Sequence, residues 1–99
     1  MTVRFHPDAR LELRDALSWY EERSPVSATA FAQEVEDAVL RILDAPTRYP
    51  QADHGTRRVL LDRFPFNVFY RCDDTGILIV AVAHQKRRPG YWRTRTSRG

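Results

Sequence analysis

Residues 77–84 read ILIVAVAH, seven apolar side chains closed by a histidine. A run this short, apolar at odd and even positions alike, is a strand covered on both faces. It predicts a central strand, with a neighbour on each edge and packing above and below. The residues just before it, Asp73-Asp74-Thr75-Gly76, read as a four-residue turn with Gly where a positive φ is needed. Residues 65–71 (PFNVFYR) therefore pair with it as a hairpin, and residues 57–63 (RRVLLDR) are a third β-rich run. Pro65 fits only a strand start, and Pro89-Gly90 ends regular pairing.

Upstream, the chain supplies the cover such a sheet needs. Val3 and Phe5 alternate with Thr2 and Arg4, which predicts a short first strand. His6-Pro7-Asp8 reads as a helix start, with an early proline and an acid in the first turn. Ala9, Leu13, Ala16, Leu17 and Tyr20 then follow one helical face, while Arg10, Glu12, Arg14 and Asp15 fall mostly elsewhere. Ser24-Pro25 restarts the pattern as an N-cap and first-turn proline, Phe31, Val35, Ala38, Val39 and Ile42 make a second stripe, and Pro46 stops it. The expected class is α+β in the order β-α-α-β-β-β, a helical hairpin on a mainly antiparallel four-stranded sheet. One core is expected, from Leu13, Leu17, Phe31, Val35, Ile42, Val59, Leu61, Val68, Tyr70, Ile79, Ala81 and Val82. Residues 1–93 form a single domain on this reading, and 94–99 a flexible basic tail.

At 99 residues with 42% apolar content the chain can bury one modest core. The lone Cys72 excludes an internal disulfide, and no Cys/His set has zinc spacing, so no metal or cofactor is expected. There is no secretory leader and no run of membrane-spanning length, which predicts a cytoplasmic protein with no membrane partner. The net charge of +3 conceals a division between the halves. Residues 1–54 hold six Arg against ten Asp/Glu, a balance of −4; residues 55–99 hold ten Arg/Lys against three Asp, a balance of +7. A basic half points to an acidic partner, either nucleic acid or an acidic protein segment.

Strict alternation along ILIVAVAH puts His84 on the face of Leu78, Val80 and Val82, at the strand's carboxyl end. Lys86, Arg87 and Arg88 then project near that edge, and Arg57, Arg58, Arg63 and Arg71 on neighbouring strands extend the same basic patch. His84 is either a structural histidine or a reactive one. Tyr91 and Trp92 are expected chiefly as a plug over the core, with stacking on a partner as the other role; Trp92 joins the candidate target-binding set on that second role.

In order, the chain carries FHPDARLELRDALSWYEE, FAQEVEDAVLRI, PTRYP, RRVLLDRFPFNVFYR and AVAHQKRRPGYW. With these motifs it resembles the RelE/ParE superfamily, the toxin half of bacterial type II toxin–antitoxin pairs. The resemblance implies a helical hairpin on a mainly antiparallel sheet, and an antitoxin partner with an acidic C-terminal segment. It also implies one of two activities. RelE-like members cut mRNA on the ribosome; ParE-like members poison DNA gyrase without a hydrolytic site. An RNA-cutting site could be drawn with His84 as base or acid, Arg87 on phosphate and Tyr91 as donor. The single lysine fits poorly with the lysine- and arginine-rich cluster of RelE-like enzymes, so the non-enzymatic ParE-like branch, with gyrase as target, is favoured. The alternatives are an mRNA endoribonuclease and, from another class, a basic nucleic-acid-binding module.

Overall fold

The computed structural model describes residues 1–96. Strand β1 (Thr2–Phe5) leads into α1 (Pro7–Arg23) and α2 (Pro25–Asp44), followed by β2 (Arg57–Leu60), β3 (Phe66–Asp73) and β4 (Gly76–His84). The helix starts are set by local chemistry. Nδ1 of His6 accepts the Asp8 N–H at 3.0 Å, and Oγ of Ser24 accepts the Ser27 N–H at 3.2 Å; a proline follows each cap. Ser24 is at once the last cap of α1 and the first of α2, so one residue turns the helical hairpin.

The strands form one sheet in the order β1-β4-β3-β2, with β1 parallel to β4 and the other two pairs antiparallel. Strand β4 is interior, as its apolar composition requires, and residues 76–83 are all buried. β2 is shorter than expected, ending at Leu60; Asp62 and Arg63 belong to the connection to β3. That connection is held by Glu34 of α2, a buried carboxylate whose Oε1 accepts the N–H groups of Asp62 and Arg63 and whose Oε2 accepts Arg63 Nε at 2.7 Å. Burial alone would raise the Glu34 carboxyl; the Arg63 hydrogen bond and the two backbone donors outweigh it and hold the group below its ordinary value.

The register of β3 on β4 contains one irregularity, and it determines which side chains of β4 reach which face. Phe69 lies opposite Ala81 and Tyr70 opposite Ile79, so Val80 has no partner and β4 carries a bulge. One extra residue exchanges the faces of everything after it. Ile77, Ile79 and Val82 therefore enter the core under the helices, with Phe31, Val35, Ile42, Val68 and Tyr70. Leu78, Val80, Ala81 and Ala83 form a second cluster on the opposite face, closed by Trp92. The expected single core is thus two, and Ala81 sits in the second. Leu13 and Leu17 pack against the first core but stay partly exposed.

Trp92 is 2% exposed, its ring 4.6 Å from that of Phe69 and edge-on to His54 at 5.8 Å. It is the plug of the second cluster, which removes it from any target-facing set. Within the tail expected to be flexible from residue 94, Arg93–Arg95 form a 3₁₀ turn, and the nearly buried Arg95 side chain pairs with Glu12 of α1. Residues 97–99 of that tail lie outside the described residues.

Candidate functional site

Because of the bulge, His84 lands on the helical side of the sheet and not with Leu78 and Val80. Its ring stands edge-on to Phe66 at 5.1 Å, and its Nδ1 accepts the Lys86 N–H at 3.0 Å. With Nδ1 so occupied, the neutral ring keeps its proton on Nε2 and presents a donor. His84 lines an open groove of about 380 Å³ between α1 and the carboxyl end of β4. Ala16, Trp19, Tyr20, Phe66 and Val82 form its apolar wall; Glu12, Asp15, His84 and Arg87 supply its polar groups. Trp19 is 50% exposed, and the Arg23 guanidinium lies 3.7 Å over its ring.

The expected basic patch does not assemble as one surface. Phe66 pairs with His84 at one end of the sheet, whereas Arg57 pairs with Tyr70 and Arg71 with Leu78 toward the other, roughly 15 Å away along the strands. Arg57 donates to the Tyr49 carbonyl at 2.7 Å, Arg71 donates to the Thr96 carbonyl at 3.1 Å, and Arg63 is tied to Glu34. These three arginines are spent on holding loops. Arg58, Lys86, Arg87 and Arg88 are exposed, and none of them forms an ion pair among the described residues.

Glu12 is the residue that the helical stripe left aside and the structure puts at the hub. Its Oε1 accepts the Val82 N–H at 3.0 Å, its Oε2 accepts the Tyr91 hydroxyl at 2.6 Å, and Arg95 Nη1 and Nη2 donate to the two oxygens at 3.0 and 3.1 Å. Burial and the Glu12 carboxylate push the Tyr91 phenol well above its ordinary range. Burial alone would lower Arg95, but the hydrogen bond and charge of Glu12 outweigh it and raise it. On its faces the Tyr91 ring meets two guanidiniums, Arg87 at 3.8 Å and Arg95 at 5.2 Å. The sequence did carry a signal for Glu12: it stands three residues after Ala9 and four before Ala16, both buried, on the same helical stripe. Glu34 has the same signature, between Phe31 and Ala38.

Residues 3–89 match the family model described as the ParE toxin of the type II toxin-antitoxin system parDE. The chain belongs to the ParE toxin family. Among solved structures, this ParE-family chain is similar to one from the chromosomal ParDE toxin–antitoxin system of P. aeruginosa, with a TM-score of 0.73 and 20% identity over 85% of this chain and 95% of that chain. At that identity the likeness concerns the fold, a helical hairpin on a mixed four-stranded sheet. No curated protein matches the sequence. The family match stops at Pro89, so Tyr91, Trp92 and Arg95 lie beyond it.

Proposed function

We propose that the chain is a growth-arresting toxin that acts in the bacterial cytoplasm by poisoning DNA gyrase. The observation that carries this reading over RNA cleavage is that the Tyr91 hydroxyl, the acid such a site would use, is given to Glu12. Cutting RNA requires a base free to take the 2′-hydroxyl proton, cationic support for the phosphorane and an acid for the leaving oxygen. Here the Tyr91 hydroxyl is given to Glu12, His84 has Nδ1 occupied, and Arg87 is stacked on Tyr91. No helix among the described residues is long and apolar enough to cross a membrane.

The test sets purified toxin against gyrase with supercoiled plasmid and, separately, against translating ribosomes with labelled message. Gyrase inhibition should appear, and His84→Gln, which keeps a polar group of similar reach, should leave it largely intact. A general acid or base is worth ~10²–10⁴-fold in rate, so the same substitution would nearly silence a ribonuclease. Message cleavage that vanishes in His84→Gln, with gyrase unaffected, would overturn the proposal in favour of the mRNA endoribonuclease.

The same reading includes a cognate antitoxin with an acidic C-terminal segment that neutralises the toxin. The cations available to it are Arg58, Lys86, Arg87 and Arg88, since Arg57 and Arg71 are bonded to backbone carbonyls and Arg63 is paired with Glu34. Reversing charge at Arg58 and Arg88 together should slow antitoxin association and flatten its salt dependence, while Arg57→Gln should act on stability more than on rate. Association rates unchanged across a salt series in the double reversal would remove these residues from the interface.

A further inference from the structure

Strand β1 ends opposite Ile79, but β4 runs on to His84. Past that point the β1 side of β4 has no strand to pair with, and an unpaired backbone group away from water is costly. The structure fills the gap with side chains. The Val82 N–H donates to Glu12, and the Val80 carbonyl accepts from Arg95 Nη1 at 3.1 Å. A carboxylate from α1 and a guanidinium from the C-terminal segment stand in for the missing strand, and each bonds the other. Both are nearly buried, with side chains 14% and 12% exposed.

We infer that Glu12 is a positioning residue: it clasps residues 85–96 as a strap over the open edge of β4, and through Tyr91 it sets the direction of Arg87 on the groove rim, from which Arg87 acts on the target. The inference rests on the proposed gyrase activity for its last step only. The chain leaves β4 at Gln85, bends at Pro89 and at Gly90 (φ +76), and returns so that Tyr91 can reach Glu12. The Tyr91 ring is then the platform for Arg87, whose guanidinium is exposed, in no ion pair among the described residues, and part of the groove lining. Stacking fixes its direction and leaves its donors free. Glu12 also lines the groove, but its carboxylate is already shared among Val82, Tyr91 and Arg95, so its influence on a partner passes through Tyr91. Without its charge, the nearly buried Arg95 would keep only the exposed Asp8 carboxylate, 3.8 Å from its Nε, and the strap would open.

The experiment uses the full chain as wild type, Glu12→Gln, Arg87→Ala, the double variant and Tyr91→Phe. Backbone amide exchange reports the strap directly. Glu12→Gln should lose protection at Val82 and through residues 91–95 while β3 stays protected. Activity is read as gyrase inhibition and, independently of target, as growth arrest on induction without antitoxin. Each single variant, Glu12→Gln or Arg87→Ala, should weaken activity about tenfold, and the double variant no more than Arg87→Ala alone; independent sites would multiply to about a hundredfold. Tyr91→Phe removes one oxygen and keeps the fold, and should move exchange and activity in the direction of Glu12→Gln. Multiplying effects, or an opened strap with undiminished growth arrest, would refute the inference, as would unchanged exchange at Val82 in Glu12→Gln. Absence of any wild-type effect on gyrase would instead refute the choice of target, and the same cycle read on growth arrest still decides the role of Glu12.

Discussion

Phe31→Ala should destabilise the protein by about 3–5 kcal/mol, the range for emptying a fully buried aromatic position. Phe31 of α2 has no exposed surface and stands at the centre of an aromatic cluster. Its ring lies 5.2 Å from Tyr20 of α1, 5.3 Å from Phe64 in the β2–β3 connection and 5.0 Å from Phe66 of β3. Removing it takes the common contact from four elements at once, and a fold of this size has only about 5–15 kcal/mol of total stability. The loss should also loosen the groove, since Tyr20 and Phe66 form part of its wall. Urea unfolding followed by circular dichroism measures the first effect. A loss under about 1 kcal/mol would mean that neighbouring rings collapse into the space, and would refute the picture of a rigid aromatic centre.

Gly76→Ala should cost about 3 kcal/mol or more, by a different mechanism. Gly76 opens β4 with φ at +135°, a conformation closed to side chains, and a Cβ there would overlap the carbonyl oxygen of Thr2. Thr2 is its register partner in the parallel β1–β4 pair, and Thr2 Oγ1 also donates to the Thr75 carbonyl at 2.8 Å. The added methyl group must push β1 off the sheet or twist the hairpin turn. Exchange protection in β1 should collapse while that of the β3–β4 hairpin survives. Gly55→Ala is the control: its φ is +73° but a Cβ meets nothing within 4 Å, so only the backbone strain of about 1 kcal/mol applies. Equal costs at the two glycines would show that the Thr2 contact contributes nothing.

The hairpin turn that places Gly76 was legible because its chemistry is local. Asp73 Oδ1 accepts the N–H groups of Thr75 and Gly76 at 2.8 and 3.1 Å, as an aspartate ahead of a turn does. The Thr75 hydroxyl, the first of several hydrogen bonds, helps hold the Asp73 carboxyl down at about 2. Caps, helix starts, the interior place of β4 and the order of elements were readable for the same reason: each depends on residues within a turn or two of one another, or on the apolar period of one segment.

What the tertiary structure alone decided is the face and the partner of each functional group. The bulge at Val80 arises where β3 and β4 meet, and nothing in ILIVAVAH announces it; yet that single residue moves His84 from one side of the sheet to the other. The arginines counted as one basic patch are separated by strand register, and three of them are engaged by the carbonyls of Tyr49 and Thr96 and by the carboxylate of Glu34. Glu12 and Arg95 are 83 positions apart in the chain, and their bidentate pair exists only because β1 stops at Phe5 and leaves the edge of β4 to be covered. Composition and periodicity determined that there would be a two-layer α+β fold with a covered central strand and a basic C-terminal half. Which charges meet a partner and which close the fold was decided by contacts between distant segments, where burial forces each polar group to find its counterpart.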